Sequence, residues 1–120
     1  MEQKMALFLV TLLHSGTNTH LMHWSTKSYA QHKTLGHFYE KIIELTDQLA
    51  EAYFGCYKQI TIFPDTYHLP RGLPLNYLES LQKFVKDARD DLPKESEIVQ
   101  LIDNIAQEID TTIYLLKFKG

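Results

Sequence analysis

Residues 21–51, LMHWSTKSYAQHKTLGHFYEKIIELTDQLAE, carry the pattern from which the fold is read. Leu35, Phe38, Ile42, Leu45, Leu49 and Ala52 recur at three- and four-residue steps, the mark of one apolar arc along a helix. The spacing predicts a helix over about 30–59, with 25–30 as the turn that precedes it. Upstream, Met5, Phe8, Leu9, Leu12, Leu13, Gly16, His20, His23 and Trp24 keep the same rhythm. They predict a first helix over about 2–27 with these residues on one buried stripe, Trp24 included. Gly16 weakens that helix by about 1 kcal/mol relative to alanine. It is expected where another helix backbone passes close.

Downstream, residues 60–74, ITIFPDTYHLPRGLP, hold three prolines and a glycine, so no long helix can form there. A loop of this length is long for a compact domain. Its Ile60, Ile62, Phe63, Tyr67 and Leu69 are expected to pack on something. Pro74 suits the first turn of a third helix over about 74–91, with Leu75, Leu78, Leu81, Val85 and Ala88 inward. After a break at Asp90-Asp91-Leu92-Pro93, a fourth helix over about 95–118 turns Ile98, Leu101, Ile102, Ile105, Ile109, Ile113 and Leu116 inward. Two helix pairs with short links and one long connection between them predict an all-α fold. The expected architecture is a single domain, 1–120, built as a ferritin-like up-down four-helix bundle with a long crossover loop between the second and third helices.

At 120 residues the chain can bury one core and not two. A net charge of -3, with basic residues scattered apart from a weak cluster at Lys117 and Lys119, argues against a nucleic-acid partner. The apolar run at 5–13 has neither a strong basic flank nor a small-x-small cleavage site, and it reads as a buried helix start. No stretch reaches the ~18 apolar residues of a membrane span. Cys56, the only cysteine, excludes an internal disulfide, fits a reducing cytoplasmic compartment and reads as a small buried hydrophobe.

The chemistry-bearing residues gather in the opening stretch. With about 100° per residue, and His32 as origin, Gly36 falls near ~40°, Asp47 near ~60°, Glu40 near ~80° and Glu51 near ~100°. Asp47 and Glu51 are one turn apart, so their carboxylates can meet. His20 and His23 are likewise one turn apart on the first helix. Such acidic pairs are most often a solvated face, and single histidines such as His14, His37 and His68 are most often surface or satisfied core residues. The coincidence of His23, Trp24, His32, Asp47 and Glu51 points further. Neutral imidazole with carboxylate oxygen suits iron, manganese or zinc, and a divalent cation relieves repulsion between adjacent carboxylates.

The pattern His23-Trp24, then His32, then Asp47-Gln-Leu-Ala-Glu51 resembles the Dps family (DNA-binding protein from starved cells), the mini-ferritins. The likeness covers about 35 residues, and beyond them only a four-helix outline. It implies a ferroxidase site at a two-fold subunit interface, with His23 and His32 of one chain facing Asp47 and Glu51 of its mate and Trp24 close by. Iron(II) is bound and oxidised there in that family, typically by hydrogen peroxide, and a twelve-subunit shell stores the product. The family usually carries a further acidic ligand where this chain has Gly36, and Glu40 is the nearest substitute. The link between His23 and His32 is three residues shorter than the family's, and a lysine-rich tail is absent. No Glu-x-x-His occurs, which argues against a di-iron site inside one bundle. No nucleophile or water-activating base stands out for a zinc hydrolase.

The expected function is therefore iron(II) oxidation and sequestration by a homo-oligomer, dimer or larger. Its expected ligands are His23, His32, Asp47 and Glu51, with Glu40 and His20 as helpers. The alternative is a non-enzymatic bundle that serves as a structural or interaction protein.

Overall fold

The computed structural model describes residues 1–118. These form helices α1 (Glu2–Ser25), α2 (Tyr29–Cys56), α3 (Pro74–Ala88) and α4 (Ser96–Leu116), with a 3₁₀ turn at Arg89–Asp91 before α4. There is no strand among the described residues, and the architecture is an all-helical four-helix bundle. No helix of the described residues is long and apolar enough to cross a membrane.

Local chemistry sets the helix ends. Ser28 caps α2 by accepting from the Gln31 backbone N–H at 3.2 Å. The Thr26 hydroxyl donates to Gln31 Oε1 at 2.7 Å and so steadies the tight link between α1 and α2. Pro74 opens α3, as its position predicts. It follows Gly72, whose φ of 103° lies in the left-handed region that favours glycine. α2 stops at Cys56, three residues earlier than the pattern predicts. There the Tyr57 hydroxyl reaches across to both carboxylate oxygens of Glu95, each at 2.6 Å. That bond pushes the Tyr57 hydroxyl up to about 12 and lowers the Glu95 carboxyl.

Neighbouring helices run antiparallel around the bundle. Gly16 lies against Ile43, and His23 against His32 and Gly36, which sets α1 against α2. Lys4 meets Asp91, Phe8 stacks on Phe84 with centroids 5.9 Å apart, and Asn18 meets Tyr77, which sets α1 against α3. His37 faces Glu108 across α2 and α4, and Gln82 meets Asp110 across α3 and α4. The non-helical segment 57–73 leaves Lys58 beside Glu2 at one end of the bundle and brings Tyr67 to Asn18, about 24 Å along α1.

The apolar arcs converge as the periodicity predicts: Phe8, Leu12, Leu35, Phe38, Ile42, Leu49, Leu78 and Ile105 are fully buried. Apart from Asn18, the buried polar residues satisfy themselves within their own helices. Ser15, Thr19, Thr46 and Thr112 each donate to a carbonyl three or four residues back, at 2.6–2.8 Å.

Four expectations from the pattern need correction. Leu13 and Trp24 are exposed, Trp24 at 68%. Trp24 falls within about 20° of Leu13 around α1, and that face of the helix turns away from the core. Cys56 is exposed in the last turn of α2, at the level where α1 and α4 have only just begun. Gly16 makes room for side chains, since a Cβ there would stand 2.7 Å from Ile43 Cδ1 and 3.5 Å from Ile42 Cγ2. Of the loop's apolar residues only Ile60 is buried, and Ile62 is 84% exposed.

Candidate metal centre

The end of α1 and the start of α2 bring His23 and His32 face to face. Their rings are stacked with centroids 3.8 Å apart and planes 17° from parallel. His23 Nδ1 lies 2.6 Å from the His32 carbonyl, and His32 Nδ1 lies 2.9 Å from the His23 carbonyl. A carbonyl can only accept, so both Nδ1 atoms carry the proton. In the neutral rings the lone pair is thereby placed on each Nε2, the arrangement by which an outer hydrogen bond orients a metal-binding imidazole. The His23 carbonyl belongs to the last turn of α1 and has no partner within its helix, so His32 also closes that helix end.

Gly36 is part of this arrangement. A Cβ at position 36 would lie 3.0 Å from His23 Cε1 and 3.1 Å from Nδ1. The glycine leaves the berth in which the His23 ring sits. An open depression of about 450 Å³ lies over the pair, lined by His23, His32, Lys33, Gly36, His37, Tyr39 and Glu40. His20 stacks flat on Tyr39, 3.9 Å away and 6° from parallel, and its centroid is 6.3 Å from that of His23. Trp24 leans on His20 at 4.6 Å. Tyr39 was not among the sequence candidates, yet it falls about 20° from His32 on the same face of α2, so helical phase was sufficient to find it.

The predicted ligands thus divide into two groups. His23, His32, His20 and Glu40 gather at one end of the bundle, whereas Asp47 and Glu51, both exposed, lie about 22 and about 28 Å further along α2 than His32. Among the described residues no three His, Cys, Asp or Glu side chains form a group able to hold a metal ion. Within one chain the histidine pair and the acidic pair cannot share an ion.

A second polar feature lies between α2 and α4. The Glu108 carboxylate, half-buried, stands 3.7 Å from His37 Nε2 and accepts from Thr112 at 3.4 Å. Burial pushes its carboxyl up, against opposing pulls from His37, Thr112 and Lys41. An acid whose folded pKa lies above its unfolded value binds more protons when folded. Stability then falls as pH rises from the ordinary glutamate range through the raised value. Glu108→Gln, which removes the charge and keeps the shape, is expected to flatten that fall and to add on the order of 0.5 kcal/mol near neutral pH. Urea midpoints from pH 4 to 8 check this, and parallel curves for the two proteins would defeat it.

No curated protein and no solved structure matches the chain. One family model matches residues 23–116, more than three quarters of the chain, beginning at His23 and taking in His32, Asp47 and Glu51. On that match the chain belongs to DUF5856, a family of unknown function.

Proposed function

We propose that the protein is a ferritin-like metal-binding bundle that takes up iron(II), oxidises it and sequesters the product. Its ligands are split between copies in a homo-oligomer, dimer or larger, in the cytoplasm. His23 and His32 of one copy face Asp47 and Glu51 of another, with Glu40 and His20 at the margin. Iron is the substrate; zinc and manganese suit the same donors. The observation that carries the reading is the pair of reciprocal Nδ1–H bonds, which leaves the Nε2 of each ring as its free, oriented donor.

Ring geometry bears on stoichiometry. A metal–imidazole bond of about 2.0–2.1 Å lies in the ring plane. Two near-parallel rings 3.8 Å apart cannot both aim at one ion, so each histidine serves its own. Each iron(II) gives up one electron, and the pair reduces one hydrogen peroxide with two protons to two waters.

The distance along α2 favours sharing between copies. A two-fold axis near Tyr39 and Glu40, with α2 antiparallel to its mate, sets Asp47 of one chain opposite His32 of the other. The exposed Leu13, Trp24 and Ile43 supply apolar surface on that side of α1 and α2. The helix directions, with α2 and α3 parallel and a long segment joining them, also accord with a ferritin-like bundle having one crossover.

The reciprocal bonds also favour a second reading. They close a helix end and lock the α1–α2 hairpin, which a purely structural or interaction bundle would need as well.

Anaerobic iron(II) titration separates the two. The reading expects two ions per His23–His32 pair, at least ten-fold weaker binding in His32→Ala and Asp47→Ala, and ferric absorbance on adding peroxide. No binding by the wild type leaves the structural bundle. A strict monomer with full iron occupancy would contradict ligands split between chains.

A further inference from the structure

We infer that Gly36 is a positioning residue for His23: the absent side chain is what lets the His23 imidazole present its Nε2 as a donor. The inference rests on the proposed metal-binding reading for its use, although not for its geometry. The resemblance casts position 36 as a vacated acidic ligand. The structure gives that position another job, because a Cβ there would press on the His23 ring.

Three observations lead there. The Cβ of any residue at 36 would fall 3.0 Å from Cε1 and 3.1 Å from Nδ1 of His23, closer than ordinary carbon contacts. The ring has little freedom to retreat. One face is covered by His32 at 3.8 Å, and Nδ1 is held at 2.6 Å by the His32 carbonyl, one helical turn before Gly36. Tyr39 stands beside it at 5.4 Å. A side chain at 36 therefore displaces the ring or turns it about χ1, and either movement loosens the Nδ1–H bond that fixes the tautomer. The lone pair is then shared between the two ring nitrogens and no longer held on Nε2.

The two views of position 36 make opposite predictions for Gly36→Asp. A vacated ligand restored by aspartate should tighten metal binding, and Gly36→Ala should leave it alone. A positioning glycine requires both substitutions to weaken binding by about 10- to 100-fold, the range seen when a partner that orients a ligand is lost. The experiment pairs anaerobic cobalt(II) and iron(II) titrations with ¹⁵N–¹H correlation spectra of the imidazoles in the metal-free protein. Metal-free wild type is expected to show His23 and His32 both protonated at Nδ1, with slowly exchanging protons. Both variants are expected to keep the helical circular dichroism of the wild type while His23 loses its slow proton and becomes a tautomer mixture.

Unchanged His23 signals in Gly36→Ala and Gly36→Asp overturn the inference, whatever the metal data show. Shifted signals with unchanged or tighter metal binding overturn it too, since the ring would then be moved without consequence for its donor. If the wild type binds neither metal, the functional reading fails by itself, and the imidazole spectra alone decide whether Gly36 positions His23.

Discussion

Phe38→Ala is expected to destabilise the bundle by about 3–5 kcal/mol, the usual cost of emptying a fully enclosed aromatic site. Phe38 is wholly buried, on the arc of α2 that also carries Leu35, Ile42 and Leu49. Those neighbours sit on a helix packed against α1 on one side and α4 on the other, so the backbone has little room to collapse into the void. A domain of this size has about 5–15 kcal/mol in all, so the loss takes about a fifth of it or more. Urea unfolding followed by far-UV circular dichroism reads the effect. Ile62→Ala is the control: 84% exposed in the non-helical segment, it is expected to change stability by no more than about 0.5 kcal/mol. Comparable losses for the two variants would mean that Phe38 is not where the core lies.

Tyr67→Phe is expected to cost about 1–3 kcal/mol, the penalty for leaving a buried polar group without its partner. Asn18 is 4% exposed on α1 and is satisfied from two sides. The Tyr67 hydroxyl donates to its Oδ1 at 2.5 Å, and its Nδ2 donates to the Tyr77 hydroxyl at 3.0 Å. Burial raises the Tyr77 hydroxyl, and the bond from Asn18 partly offsets that rise. Tyr67 also sets its ring edge-on to His14 at 4.7 Å. Residues 61–69 are otherwise exposed, so this contact is the main tether of the segment between Ile60 and Pro74. Losing it should free the segment as well as lower the urea midpoint. Trypsin is the probe, because Lys58 and Arg71 flank the tether and cleavage at both should accelerate. Unchanged cleavage with unchanged stability would show that Asn18 does not hold the segment.

The helices and their inward arcs were legible because burial imposes a period of 3.6 on apolar residues, and that period survives in the linear order. The same arithmetic put His32, Glu40, Asp47 and Glu51 on one side of α2, and it would have put Tyr39 there had the ring been counted. Phase describes direction around one helix only. It does not say whether another helix stands at that level, and Cys56, in the final turn of α2, lies where α1 and α4 have only just begun. Gly16 was recognised as a close approach, but the approaching atoms are those of Ile43, on a helix 27 residues later.

The sequence was enough to establish four amphipathic helices, their short and long connections and the residues capable of metal chemistry, since each depends on local spacing and side-chain type. The stacking of His23 on His32, the choice of Nδ1 as the protonated nitrogen and the berth at Gly36 depend on two helices meeting at one distance and rotation. So does the separation of the histidines from Asp47 and Glu51. Packing sets those quantities through contacts between residues far apart along the chain, and a single sequence has no period that records them.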